Sequence, residues 1–498
     1  MEIVATYVPP SGADSAALTA ELARPPAGAT AVELRADLLP PGVDLGPLVA
    51  ASPLPVVLTL RSRSEGGRGP DEPEPRRLFF ERAVGLPVLA FDLEAARDLD
   101  LVDRLLSRDR VILSVHPPEV PARLEAQALS LLGRGTMLVK LAPAVEDLGG
   151  VLEVLRVARA LGRGPAGGRA VVLATGEAGR AVRLLGPRLA ARVAYAAWEP
   201  GRAAAPGQYT AEELTAFVGD PAPLGRVFAV LGRPAGRSLS PRMHNAAYRA
   251  LGLPDVFVPL EVRDEGELCR LLQPAGLGGV EEVGLRAGGF AVTMPWKEAA
   301  LGRCSVVAPR AARARAVNTV LPRSGKVLGD CTDIDGITRS LLAAGVGLAG
   351  ARGLVLGTGG SARAAVVGLQ AAGCEVAVAG RDGGKVAAVA RELGASSITP
   401  SEAGRCSIAV NATPAGTDGA PSELLESLRL APGAAVVDLP YGPLPTRLQE
   451  LAEGRGWTYI GGRQVLLWQG VAQFAAMTGM APPVGAMAAA LGLAGERP

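Results

Sequence analysis

Eight short apolar and β-branched runs recur within the first 220 residues, and that count constrains the fold more than any other feature of the chain. They are EIVATYV from Glu2, AVELRAD from Ala31, VVLTLRS from Val56, VLAFDLEA from Val88, RVILSVH from Arg110, TMLVKLA from Thr136, RAVVLAT from Arg169 and RVAYAAW from Arg192. Amphipathic stretches such as Val151–Leu161 separate several of them. Strands alternating with helices predict a parallel sheet. Eight such units in this length predict a closed (β/α)8 barrel, with an open doubly wound sheet as the competing topology. The whole chain, 498 residues, is too long for one core and predicts further domains.

Charged residues then fall in one zone of the barrel. Glu33, Arg35, Arg61, His116 and Lys140 sit in the last halves or at the ends of their runs. Strand C-terminal ends form the catalytic face of such a barrel, and a charge inside a strand is costly unless paired. Lysine is scarce enough to act as a filter. Among 51 Lys+Arg only Lys140, Lys297, Lys326 and Lys385 are lysines, and His116 and His244 are the two histidines. Arginine replaces lysine in surface and ion-pair work but cannot form a Schiff base. With apolar neighbours on both sides, Lys140 is expected to have a depressed pKa and to serve as an amine nucleophile toward a carbonyl. His116 can move protons near neutral pH, and Glu65 in RSRSEGG could orient it. The bland alternatives are a buried ion pair between Lys140 and Glu94 or Glu33, and a loop-capping role for His116.

Composition excludes several classes. A net charge of +2 leaves no broad footprint for nucleic acid or anionic lipid. The five scattered cysteines form no CxxC pair, which predicts reduced thiols in the cytoplasm and no metal site. Neither a signal peptide nor a membrane-length apolar run is visible. Oligomeric state is not legible.

The N-terminal pieces ELRAD (Glu33, Arg35), LRSRSEGG (Arg61, Glu65), SVH (His116), LVKLA (Lys140), TGEAGRAVR (Arg183) and APGQ (Gln208) occur in one order on the expected strands. Over residues 1–218 the chain thereby resembles type I 3-dehydroquinate dehydratase. The resemblance implies an imine between Lys140 and a substrate ketone, with His116 as general base and acid steadied by Glu65. It implies Arg183 on the substrate carboxylate, with Glu33, Arg35, Arg61 and Gln208 around hydroxyls and charges. Ala204 stands where the family usually has serine, a lost hydrogen bond of about 1–2 kcal/mol. Val182 and the SVHPP segment also depart from the family pattern.

After a Pro- and Gly-rich linker at 219–226, the chain changes character. VFAVLGRPAGRSLSPRMHN places Ser238 and Ser240 before a helix beginning near Pro241, a setting suited to a carboxylate. The bland alternative is an ordinary N-cap at Ser240. His244, one turn in, reads as structural. GGFAVTMPWKEAA holds Thr293 and Lys297, ARAVNTVLP holds Asn318, and LGDCTDIDG holds Asp333. A lysine beside an aspartate makes a proton-transferring pair. LVLGTGGSARAAVVGL fits GxGxxA, with Gly357, Gly359, Gly360, Ser361 and Ala362 between a strand and a helix. The next strand ends in Arg381, where NAD-specific enzymes often carry an acid. Arginine there suits a ribose 2′-phosphate and hence NADP, with Lys385 nearby, while Asp382 keeps NAD open. SIAVNATPAGT (Asn411, Thr413) and VVDLPYGPLPT (Tyr441) continue the alternation, and Gln469 and Gln473 share one helical face.

These motifs, in this order, resemble shikimate dehydrogenase over about residues 226–490. The resemblance implies a substrate-binding α/β domain (226–335, completed by 463–498) and a Rossmann domain (336–462). It implies Ser238 and Ser240 on the substrate carboxylate, and Thr293, Asn318, Asp333, Tyr441 and Gln469 around the hydroxyls, with Gln473 also in the substrate site. Lys297 and Asp333 would transfer the proton, and NADP would bind the glycine turn together with Asn411 and Thr413. Ala291 and Cys331 occupy positions where the family often has asparagine. The two halves then imply consecutive steps, 3-dehydroquinate to 3-dehydroshikimate and on to shikimate. The alternatives are a shikimate or quinate dehydrogenase with an inert barrel, and a non-catalytic sensor of such ligands.

Overall fold

The computed structural model describes every residue except 105, 165–166, 219–223, 275–278, 324 and 494–498. The linker read at 219–226 therefore lies largely outside the described residues. The chain divides into two compact units. One comprises Met1–Gly225 with Pro254–Val262 and Glu282–Leu285, and the other Arg226–Leu253, Arg263–Glu281 and Arg286–Pro498.

The first unit contains β1 (Glu2–Tyr7), β2 (Ala31–Arg35), β3 (Val56–Thr59), β4 (Ala90–Glu94), β5 (Val111–Val115), β6 (Leu138–Leu141), β7 (Ala170–Val172) and β8 (Val193–Ala197). All eight strands lie within the runs read from the sequence. They are parallel, and their order β7-β6-β5-β4-β3-β2-β1-β8 wraps round a ring. At the seam the Ala191 amide donates to the Ala170 carbonyl at 2.8 Å, so the sheet is a nearly closed barrel. Burial explains the sequence pattern: β2, β3 and β4 are buried at every residue. A strand covered on both faces needs no polar side, so it reads as a continuous apolar run in which the inward charges stand out.

In the second unit, Arg226–Gly232 pairs in parallel with Arg286–Val292. That strand pairs antiparallel with Thr319–Arg323, which turns back into Lys326–Asp330. Exposed Lys326 sits in this hairpin, as its turn sequence indicated. The remaining sheet is six-stranded and parallel. Numbered in chain order, its strands lie 3-2-1-4-5-6, the dinucleotide-fold order whose switch point opens a crevice between the first and fourth strands. Buried Leu354, Leu356, Val436 and Leu448 anchor one side of its core. The helix Gly462–Thr478 packs tightly on Asp333–Ala343, because a Cβ at Gly336 would come within 2.8 Å of Gln469 Cβ.

Candidate active sites

In the barrel, a cavity of about 310 Å³ is lined by Glu33, Arg35, Arg61, Glu65, His116, Lys140, Arg183 and Gln208, among others. All eight barrel residues singled out in the sequence therefore meet in one place. Lys140, on β6, is 3% exposed. Its sequence neighbours Val139 and Leu141 turn to the opposite face, as strand alternation requires. The expected apolar surroundings are consequently not what the amine meets. Nζ contacts Asp92 on β4, lies 3.4 Å from Glu33 Oε1, and sits 4.3 Å from the centroid of the Tyr195 ring. Glu33 also accepts from the Thr6 and Thr59 hydroxyls at 2.7 and 2.9 Å. Burial alone would raise the Asp92 carboxyl, but Lys140 and Arg61 hold it below the usual range.

His116 stands one residue past β5, with Nδ1 3.0 Å from Glu65 Oε2. Burial, and then the charges of Arg61, Lys140, Arg35 and Arg183, keep the imidazole well below its ordinary pKa. It is neutral at pH 7 and able to accept a proton. Glu65 is pushed up to about 7 by burial and by Glu94, against the pull of Arg61 and Arg97. Arg61 ties this floor together, donating to Asp92 at 2.9 Å, Ser114 at 3.0 Å, and Glu65 and Glu94 at 3.3 Å. Arg35 is held by both oxygens of Asp37.

Arg183 differs from the other cations. It is 3% exposed, and its Nε has no hydrogen-bond partner among the described residues. Burial lowers it to about 10. A buried cation without an acid is costly until an anion arrives. Gln208 accepts from the Ala204 and Ala205 amides at 2.8 and 3.2 Å, so the loop keeps its shape with alanine at 204.

The second unit assembles its own chain of polar groups. Lys297 begins the short helix Lys297–Leu301 and donates to Asp333 Oδ2. The other oxygen, Oδ1, accepts from Asn318 Nδ2 at 2.7 Å, and that same amide reaches Gln469 Oε1 at 3.0 Å. Asn318 is fixed in turn, its Oδ1 accepting from the Thr332 amide at 2.7 Å. Gln473 is fully buried and donates from Nε2 to the Asn318 carbonyl and the Thr319 hydroxyl, which holds it against Asn318. His244 is wholly buried beside Phe474, and burial lowers it to about 4.

Ser240 is the first residue of the helix Ser240–Ala250 and does not cap it. The cap position is Leu239, without a side-chain bond. The Ser240 amide donates to Ser238 Oγ at 3.2 Å. Tyr441 approaches Ser238 and the Leu239 backbone, and burial raises its phenol. Thr293 follows its strand, its amide bonded to the Leu231 carbonyl at 2.9 Å.

The glycine turn lies at the switch point. Gly357 has φ +120°, a conformation that favours glycine, and a Cβ there would come within 3.1 Å of the Ala412 carbonyl. The helix Gly360–Ala371 starts at Gly359 with no side-chain cap, leaving amides for phosphate oxygens. Around Gly359 a Cβ would meet nothing within 4 Å. These features fit a dinucleotide. Ala362 is buried in the helix. Asn411 and Thr413 bond each other at 2.6 Å and so shape the wall of the turn. Arg381 is exposed just past the second strand of this sheet. Asp382, which the sequence left as an obstacle to a 2′-phosphate, caps the helix Gly383–Leu393 by accepting from the Lys385 amide at 3.0 Å.

Sequence reasoning passed over Asp92, Ser114, Tyr195 and Arg97. Asp92 carried the signal already used for Glu33, an acid inside an apolar strand. Arg97 lies in a loop and carried none.

The type I 3-dehydroquinase family model matches residues 7–219. The shikimate dehydrogenase substrate binding domain matches residues 230–320, and the shikimate 5′-dehydrogenase C-terminal domain matches residues 462–491. A shikimate dehydrogenase (NADP(+)) of Gluconobacter oxydans is 38% identical over 266 residues, covering 52% of this chain and 91% of that protein. The chain belongs to the shikimate dehydrogenase family. It carries that enzyme joined to a type I 3-dehydroquinase domain. The shikimate dehydrogenase (NADP(+)) of Rubrobacter xylanophilus is 40% identical over 275 residues, 53% of this chain and 94% of its own length. Among solved structures, a Thermus thermophilus shikimate 5-dehydrogenase in complex with NADP(H) and shikimate is 36% identical, with TM-score 0.49, covering 54% of this chain and 98% of its own. The dehydroquinate dehydratase and shikimate dehydrogenase of S. pombe AroM is 24% identical with TM-score 0.45, spanning 98% of both chains.

Proposed function

We propose that this chain dehydrates 3-dehydroquinate through a Schiff base in its barrel and reduces the resulting 3-dehydroshikimate to shikimate with NADPH in its second unit. The domain limits proposed are 1–218 for the barrel, 226–335 completed by 463–498 for substrate binding, and 336–462 for the dinucleotide. One observation carries the reading: Lys140, the His116–Glu65 pair and Arg183, whose Nε has no hydrogen-bond partner among the described residues, line a single cavity.

In the first reaction Arg183 takes the substrate carboxylate and sets the ketone against Lys140. Asp92 and Glu33 hold the amine for attack, the carbonyl oxygen leaves as water, and an iminium forms. The iminium acidifies the adjacent C–H. Neutral His116 accepts that proton at Nε2, since Nδ1 faces Glu65, and returns it to the departing hydroxyl. Water then releases Lys140.

In the second reaction Ser238, Ser240 and Tyr441 take the carboxylate, and Asn318 and Gln469 take hydroxyls. NADPH supplies hydride when bound, with the glycine turn on its pyrophosphate and Arg381 on its 2′-phosphate. Lys297 Nζ gives the proton to the developing alkoxide, and Asp333 steadies the ammonium. Asp382 is committed to a helix cap, which supports NADP over NAD. The five free cysteines suit a reducing cytoplasm, and among the described residues no helix is long and apolar enough to cross a membrane. Purified protein supplied with 3-dehydroquinate and NADPH alone should oxidise NADPH. Oxidation that requires added 3-dehydroshikimate would contradict the dehydratase half.

A further inference from the structure

Lys297 has a neighbour besides Asp333. The Ser361 hydroxyl lies 3.0 Å from Lys297 Nζ and 3.4 Å from Asp333 Oδ2. Ser361 is the second residue of the helix Gly360–Ala371, directly after the glycine turn. The sequence placed it only with the dinucleotide, yet its hydroxyl is turned to the lysine–aspartate pair. Close packing enforces the approach. A Cβ on Gly360 would come within 3.3 Å of Lys297 Cβ and 3.1 Å of Ala316 Cβ, so a glycine there lets the helix start lie against the lysine.

A hydroxyl can accept one hydrogen bond while donating another. Here it accepts from the ammonium and donates to the carboxylate, closing a ring of three groups. An ammonium has three protons. Asp333 takes one and Ser361 a second, so the third is left to point at a substrate oxygen. Removing the hydroxyl frees Nζ to rotate. The chemistry keeps its balance without Ser361, which neither gains nor loses a proton over the cycle.

We propose that Ser361 is a positioning residue for proton transfer, fixing the orientation of the Lys297 ammonium and joining it to the turn that receives the dinucleotide. The inference rests on the dehydrogenase reading and deepens it. It makes the glycine turn part of the proton-transfer apparatus as well as a phosphate cradle.

The scarcity of lysine makes this testable without any cofactor. Full-length protein labelled with [13C]lysine has four side-chain signals, and that of Lys297 is identified by its loss in Lys297→Arg. In dinucleotide-free protein, Ser361→Ala should move the Lys297 signal, leave that of Lys140 in place, and be reversed by Ser361→Thr. In turnover, Ser361→Ala should lower the kcat of shikimate oxidation about tenfold, the scale of one charge-assisted hydrogen bond. It should also displace the kcat–pH profile while leaving the KM for NADP within about twofold, the split that marks an interaction made in the transition state. An unmoved Lys297 signal, or a loss confined to the KM for NADP, would overturn the proposal. A moved signal in a protein that never oxidises shikimate would leave the contact standing and refute the dehydrogenase reading instead.

Discussion

The two lysines proposed to do the chemistry of this chain are held in opposite ways. Lys140 is closed in a barrel, 3% exposed, with two carboxylates and an aromatic ring around its amine. Lys297 starts a short helix, is less deeply buried, and has one carboxylate whose far oxygen is pinned by Asn318. The difference follows from the chemistry proposed for each. A nucleophile that forms a covalent bond needs a fixed amine and a dry pocket in which the imine is shielded. A proton donor needs one free N–H toward the substrate and a partner that steadies its charge. Rigidity serves the first, and a hydrogen-bond chain the second.

The largest effect should come from Lys140→Arg. Arginine keeps the charge that faces Asp92 and Glu33 but cannot form an imine, so dehydration should fall by about 10⁴-fold or more while reduction of 3-dehydroshikimate persists. Retained dehydration would place the two lysines in one class. Lys297→Ala should do the reverse, lowering reductase kcat by about 10²–10⁴-fold with the dehydratase intact.

Arg183→Met sharpens the electrostatic side of the comparison. It should raise the KM for 3-dehydroquinate by about one to two orders of magnitude, the worth of a hydrogen-bonded charge. The sign of a second effect is also fixed. Arg183 is one of four cations that hold His116 below its ordinary range, so removing it should move the acid limb of kcat/KM to higher pH. A limb that stays put would remove Arg183 from the surroundings of His116. Arg381→Ala should raise the KM for NADPH about tenfold more than for NADH, since only one of them has the 2′-phosphate. Equal changes would contradict that role.

The smallest effect concerns stability. Asp438 accepts from Asn411 and Thr446, yet burial raises its carboxyl to about 6. Between its ordinary value near 3.8 and about 6, the folded chain holds a proton that the unfolded chain has lost. Its contribution therefore favours the fold at low pH and is lost as pH rises through 6. Asp438→Asn should stabilise the second unit against urea by about 1–2 kcal/mol at pH 7.5 and give no gain at pH 4. A gain of the same size at both values would refute the assignment.

Much of this was legible because buried parallel strands tolerate few charges. Glu33, His116 and Lys140 stood out against apolar runs, and the eight strands could be counted from those runs. The apolar surroundings expected of Lys140 do not hold, because flanking residues in a strand face away from it and its neighbours come from β2, β4 and β8; of the two acids offered as alternative partners, Glu33 is beside it. The same strand logic, applied to AFDLE, would have found Asp92. Contacts made by loops and helix starts had no comparable signal. By sequence Asp382 is an obstacle to phosphate, yet its carboxylate caps a helix, and by sequence Ser361 belongs to a phosphate turn, yet its hydroxyl meets Lys297.

The most direct test of the central claim is the mass of the protein after borohydride reduction in the presence of 3-dehydroquinate. The account predicts one stable adduct, carried by the peptide containing Lys140 and absent from Lys140→Arg. An unmodified chain, or an adduct on Lys297, would contradict it.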